Sequence, residues 1–265
     1  MEQDIKFLTE EEYKEIFRDF CSFRQKIVAY LLKFDLLKSK FIMDLAAGHG
    51  FLSFAIIDQG FNGKIVDIGL VNDFDSFKRT SAKKNEISQN IQYIIMDSSI
   101  TAFRDQTFDC IVNFLGLEDI NMTLGKNGVI LTLLELGRII KNKGIIEIAI
   151  MVKGNEPSSM LNWRIWEYIG LNSIFYPPKF YIKYLSRIGF RLEHKFILKT
   201  FKKMNMEQTR EEISFACEEA PKLFKLYNVK ARKFQDVWNK YGIKIKQFGC
   251  GFYPDILVMV FKKVS

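Results

Sequence analysis

The chain has 265 residues, 48% hydrophobic and 26% charged, with a net charge of +8. This is the make-up of a folded domain with one substantial core and room for an appended region, which excludes a disordered or low-complexity chain. The best apolar run, 145–152, contains Glu147 and falls far short of the roughly 20 residues of a membrane-spanning helix.

The first residues, Met-Glu-Gln-Asp, carry no basic and apolar leader, and four scattered cysteines suit a reducing compartment, so a cytoplasmic location is expected. Two histidines and the lack of a C-x-x-C pair argue against a metal site. Charge is unevenly placed. Residues 199–265 hold 14 Lys/Arg against 7 Asp/Glu, whereas 1–198 are nearly balanced. A basic quarter of this kind is either a solvated surface or a means of attracting an acidic substrate or partner.

In chain order, residues 1–38 read as helical. Thr9 and Glu12 have capping-box spacing, and Phe17, Phe20, Cys21, Ile27, Leu31 and Leu32 fall roughly on one stripe. From Lys40 the pattern alternates. Strands are expected at 41–45, 65–71, 91–96, 108–115 and 145–152, with helices at 51–58, 75–86 and 129–141, the last stopped near Gly144. Such alternation implies parallel strands with crossover helices, a doubly wound sheet whose ligands sit beyond the strands' carboxyl ends. Beyond 154–159 follow helices at 160–171 and 179–188, a strand at 191–198, a helical stretch at 207–241, a turn at 249–251 and a last strand at 256–261.

The first strand runs into Asp44-Leu45-Ala46-Ala47-Gly48-His49-Gly50. Small residues here let the backbone approach a ligand, and the next helix offers unpaired amides. A dinucleotide fingerprint would place a third glycine where Ser53 stands, and it has no acid four residues before its first glycine. Both differences point away from NAD and toward another nucleoside ligand.

The Asp44-x-x-x-Gly48-x-Gly50 loop resembles the first motif of class I S-adenosylmethionine-dependent methyltransferases, and the likeness continues in register over about residues 40–152. The segment from Gly63 to Asp73-Phe74 is similar to that family's second strand and helix. Tyr93 to Asp97-Ser98 is similar to its third strand, and 107–113, ending at Asn113, to its fourth. Leu134 to Gly144 is similar to the helix and turn before its fifth.

The resemblance implies an α/β fold with a Rossmann-like, doubly wound seven-stranded sheet, mostly parallel with an antiparallel last strand, plus a helical substrate cap. It divides the chain into an N-terminal helical cap, 1–38, and a methyltransferase domain, 39–265, with insertions at about 153–180 and 200–250. It implies S-adenosylmethionine as cofactor and S-adenosylhomocysteine as product. Asp44, Ala46, Gly48, His49 and Gly50 would wrap the methionine part, and Asp73 would accept from both ribose hydroxyls. Phe74 would lie near the adenine and Asp97, with Ser98, would bind its amino group, while Asn113 would border the methyl group. The departures are Asp67 in mid-strand and the long stretch before Asp73.

Phe114 and Leu115 stand where an Asn-Pro-Pro-aromatic motif would have its prolines, which argues against the amino-group methylases of nucleic acids and proteins that carry it. Glu118 and Asp119 are the candidate catalytic acids. Either could take a proton from an acceptor or hold a cation, or simply supply negative charge at a helix N-terminus. Trp163, Trp166, Tyr168, Phe175, Tyr176 and Tyr181 could line a site for a flat or apolar acceptor, or pack a helix on the sheet. The expected function is methyl transfer by in-line displacement to a small-molecule acceptor, aromatic or acidic. Methylation of RNA or a protein, and a non-catalytic scaffold that keeps the fold, are the competing readings. The sequence carries no signal for an oligomeric state.

Overall fold

The computed structural model describes residues 10–82, 88–199, 204–249 and 255–264, with side chains from 21 onward except those of Leu37, Asn72 and Ser88. Thr9 of the expected capping box and most of the turn at 249–251 lie outside these residues. One seven-stranded sheet organises the chain, in the order β3-β2-β1-β4-β5-β7-β6. The strands are β1 (Phe41–Leu45), β2 (Lys64–Gly69), β3 (Ile91–Ile95), β4 (Phe108–Val112), β5 (Ile140–Met151), β6 (Phe190–Leu198) and β7 (Ile256–Lys263). The first five pair in parallel, and β7 runs antiparallel between β5 and β6.

Alternate residues of each strand bury on opposite faces, as expected of a sheet covered on both sides. Met43, Leu45, Val66, Ile68, Ile146 and Ile148 pack with helices α4 (Gly116–Ile139) and α6 (Pro178–Arg187). Ile42, Ile65, Cys110, Val112 and Val258 pack with α1 (Glu10–Leu31), α2 (Phe51–Asp58) and α3 (Val71–Ala82). A separate apolar cluster joins α5 (Pro157–Ile169), α7 (Met206–Ser214) and α9 (Phe234–Phe248) into a helical layer. Short α8 (Ala220–Leu223) lies between α7 and α9.

Asp109 anchors the start of the central strand. Its Oδ2 accepts from the amides of Lys40 and Phe41 at 2.9 and 3.0 Å, and Oδ1 accepts from Lys141 Nζ at 2.6 Å.

Several boundaries move. The expected fourth strand stops at Val112, because Leu115 takes a left-handed conformation (φ 65°) and α4 begins at once. That helix is longer than its apolar pattern indicates, with a kink at Gly125 (φ 67°, ψ −172°). Gly144 ends no helix; it lies inside β5, which starts early because Ile140 pairs with Phe108. The stretch 207–241 is not one helix. Pro221 opens α8 and a left-handed Asn228 (φ 54°) turns the chain before α9. α5 begins and ends on local chemistry, with Pro157 in its first turn and left-handed Gly170 beyond its last residue.

Candidate functional site

The order around β1 reverses the direction of winding: β2 and β3 lie on one side, β4 and β5 on the other. Crossover helices leave a crevice at such a point, beyond the carboxyl ends of the strands. Here the loop 46–50 turns from β1 into α2 through three left-handed residues, Ala46 (φ 52°), Gly48 (φ 55°) and Gly50 (φ 75°). Gly50 is required on space as well. A Cβ there would lie 2.8 Å from the Phe77 ring and 2.9 Å from Asp67 Oδ2. Across the crevice, a Cβ on Gly116 would lie 2.4 Å from that of Ala46, so the loop and the start of α4 pack backbone to side chain.

An open cleft occupies this end of the sheet. Its walls come from Ala46, from Gly69 and Leu70 after β2, from Asp73 in the first turn of α3, and from Met96, Asp97 and Ser98 after β3. Asp119, Ile120, Thr123 and Leu124 of α4 close one side. The cleft thus brings together Ala46, Asp73, Asp97, Ser98 and Asp119 of the residues singled out in the sequence. Among the described residues, no lysine or arginine lines it.

The others lie nearby in different settings. Asp44 and Asn113 are buried, at 2% and 0% exposure, beneath the cleft rather than on its wall. Asn113 Nδ2 donates to the Leu45 carbonyl at 2.7 Å and its amide to Glu147 Oε2 at 3.1 Å, which ties β4 to β1 and β5. Gly48 and His49 are half-buried on the loop. Phe74 is half-buried too, tilted against Tyr93 at 5.6 Å and covered by Lys78 at 4.6 Å, and does not line the cleft. Glu118 sits beside Asp119 in the first turn of α4, within electrostatic reach of Glu212 on α7, and is likewise absent from the wall.

Asp73 reaches the cleft from a helix, not a strand end. The expected helix at 75–86 starts earlier, at Val71, and β2 itself ends in Gly69. A side chain at Gly69 would collide with Tyr93 Oη, which bonds to the Leu70 carbonyl at 3.3 Å. The tyrosine therefore fills the strand end and leaves the next helical turn to supply the acid. Asp97 does two things: Oδ1 accepts from the amide and hydroxyl of Ser99 at 2.8 and 2.7 Å, capping a turn, while the residue lines the cleft. The Ser98 hydroxyl is engaged with that of Thr132 at 3.1 Å.

Enclosure sets the acidities. Burial, opposed by the Leu70 amide contact, raises Asp73 to about 6. The same cause, with Asp73 nearby, raises Asp119 to about 7. Asp119 remains open to water through the cleft, so this is crowding in a recess and not sealing in a core. Burial, then the cations Arg24 and Arg79, lower His49 to about 4, which keeps its imidazole neutral at pH 7.

Under the loop, Ser53 Oγ lies 3.2 Å from Asp44 Oδ2 and 2.5 Å from Asp67 Oδ1. One hydroxyl proton cannot serve two carboxylates. Burial raises Asp44 to about 7, and burial with the Asp44 charge raises Asp67 well above the usual carboxylate range. Asp67, fully buried behind Gly50, supports the loop and does not reach the cleft.

Two contributors could not be read from sequence. Buried Arg24 of α1 lies over the rings of Phe114 at 4.7 Å and Phe51 at 5.2 Å, and its charge acts on Asp44 and His49. Tyr227, in a turn between α8 and α9, completes the cleft wall close enough to Asp97 to feel its charge. The six aromatic residues of 163–181 do not line the cleft. Phe175 and Tyr181 are buried in the sheet core with Trp163 and Tyr176 packed on it, whereas Trp166 and Tyr168 pack in the helical layer.

No protein-family model and no curated protein matches the chain. Solved structures do. A candidate methyltransferase from Bacillus halodurans gives a TM-score of 0.60 at 18% identity, over 91% of this chain and 100% of that one. Magnesium protoporphyrin IX methyltransferase from Synechocystis PCC 6803, solved with bound SAH, gives 0.56 at 13% identity over 74% and 84%. SpnF, a 4+2 cyclase, gives 0.54 at 13% identity over 99% and 85%, a reminder that the scaffold carries more than one chemistry. The chain has the Rossmann-like fold of the class I S-adenosylmethionine-dependent methyltransferases.

Proposed function

We propose that the chain transfers a methyl group from S-adenosylmethionine to a small-molecule acceptor. The observation that carries this reading is the convergence of Ala46, Asp73, Asp97, Ser98 and Asp119, far apart in sequence, on one cleft at the switch point. Three carboxylates line it, which suits a ligand with a positive sulfur and several hydrogen-bond donors. The donor supplies an electrophilic methyl group on a sulfonium.

The loop 46–50 would lie against the methionine part, Asp73 would accept from the ribose hydroxyls, and Asp97 would accept from the adenine amino group. Met96, Ile68 and Leu70 would give apolar contact in place of Phe74. Asp119, raised to about 7, is matched to accept the proton that an oxygen or nitrogen acceptor loses. The rest of the catalysis would be alignment of acceptor and methyl carbon and exclusion of water.

Calorimetric titration with S-adenosylmethionine, S-adenosylhomocysteine and NAD tests the reading. Micromolar binding of the first two and none of NAD is expected. Absence of binding by both sulfur compounds would leave the scaffold reading. Methylation of RNA has one observation in its favour: Tyr227, from the basic segment 222–248, is part of the cleft wall.

A further inference from the structure

The segment 222–248 carries eight basic residues, Lys222, Lys225, Lys230, Arg232, Lys233, Lys240, Lys244 and Lys246, against one acid, Asp236. All eight are exposed. Among the described residues, only Lys222 has a carboxylate within 4 Å, that of Glu219 at 2.7 Å. The preceding stretch, 207–219, has five glutamates against one arginine, Arg210, so the basic excess of the helical layer is concentrated after it. Unpaired like charges repel and cost stability, and a field of one sign attracts an opposite partner.

The extent of the field describes that partner. α9 alone has 15 residues, about 22 Å of helix, and Lys225 to Lys233 add to it. A small anion would meet one or two of these charges, whereas a phosphate backbone would meet many. The layer also sets cations against aromatic faces, with Lys240 3.6 Å and Arg232 4.5 Å from the Tyr168 ring. The surface leads to the cleft, since Tyr227 lies between Lys225 and Lys230 and forms part of the cleft wall. Only an unpaired base could follow that route, because a base within a duplex must first leave its stack.

We propose that segment 222–248 is a docking surface for single-stranded RNA, with Tyr227 at the point where the strand meets the cleft. The binding step rests on the surface alone. It does not depend on which acceptor receives the methyl group.

Fluorescence anisotropy with a labelled 20-nucleotide single-stranded RNA of mixed sequence, from 50 to 300 mM salt, tests it on the full chain. Affinity should fall steeply with salt, and the variant Lys233→Glu/Lys244→Glu/Lys246→Glu should bind at least tenfold more weakly at 50 mM. At about 0.7 of log–log slope per phosphate contact, that variant's slope should be shallower by about 2. S-adenosylmethionine titration of the same variant should match the unaltered chain, which separates failure of the surface from failure of the donor site. Lack of RNA binding at 50 mM, equal binding by the variant, or tighter binding of duplex DNA of equal length would each overturn the proposal.

Discussion

Asp73 concentrates the residue-scale argument. It is the cleft's acid nearest the end of β2, and a carboxylate is the group that can accept from two neighbouring hydroxyls. Hydrogen bonds to a charged group contribute about 1.5–3 kcal/mol, so Asp73→Ala should weaken S-adenosylmethionine binding roughly ten- to hundredfold. Calorimetry that found undiminished affinity would remove the ribose assignment. Acceptance from hydroxyls needs the ionised form, and Asp73 is raised to about 6. Donor affinity should therefore be level above pH 7 and decline below pH 6, by up to about tenfold per unit where ionisation is obligatory. A flat profile from pH 5 to 8 would contradict this.

The pair beneath the loop predicts the opposite trend for stability. Asp44 is raised to about 7 and Asp67 well above its usual range, so the folded chain holds protons that the unfolded chain has released by pH 5. Their contribution is complete below about pH 4 and is lost as pH rises through 7. Asp67→Asn keeps the shape and removes one ionisation. Its melting temperature relative to the unaltered chain should rise between pH 5 and pH 8, by about 2–4 °C for each kcal/mol relieved. A difference that did not depend on pH would show that both acids are accommodated without strain.

At the scale of the element, the loop between β1 and α2 is the part least able to vary. Its left-handed backbone at Gly50 and the contacts a Cβ would make with Phe77 and Asp67 act together. Gly50→Ala should cost about 1–3 kcal/mol through the conformation and the displaced ring, and should weaken donor binding with it. Gly48 has the same sign of φ but open space around its Cβ position, so Gly48→Ala should be the milder change. Thermal denaturation of both variants checks the order, and a reversal would mean that the Phe77 side yields easily. The β4–α4 junction is the second fixed part: Gly116 fits against Ala46, and buried Asn113 ties three strands together.

For the whole molecule, the cleft is assembled from the sheet with its covering helices and from the helical layer, whose Tyr227 lies more than a hundred residues after Leu124, the preceding wall residue. Tyr227 is the layer's contribution to the wall, and at 39% exposure it carries little of the core. Tyr227→Ala should leave the melting temperature nearly unchanged and weaken donor binding roughly two- to tenfold, the worth of about one aromatic contact. Calorimetry and a thermal scan separate the two effects, and a loss of stability without a loss of affinity would make the residue a packing element only. On the other side of the sheet, Arg24 joins α1 to Phe51 at the start of α2 and to Phe114, so the N-terminal helix packs in the core and against the segment that follows the loop 46–50.

Much of this was legible in the chain. Alternation of apolar runs with helical periodicity located every strand of the sheet, because side-chain period follows directly from backbone geometry. The Asp44–Gly50 loop, Asp73 and Asp97 could be named because the segments that carry them resemble, in order and spacing, the motifs of a known family. Boundaries that depended on a partner were displaced: β5 begins where Phe108 pairs with Ile140, and α3 supplies the acid because Tyr93 has filled the end of β2. The tertiary structure alone decided which candidates share a cleft and which are buried beneath it, and it turned the aromatic stretch 163–181 into packing. It also brought Tyr227 and Arg24 to the site. Local sequence encodes the form of each element, but which side chains meet across the sheet depends on long-range packing, to which periodicity carries no signal.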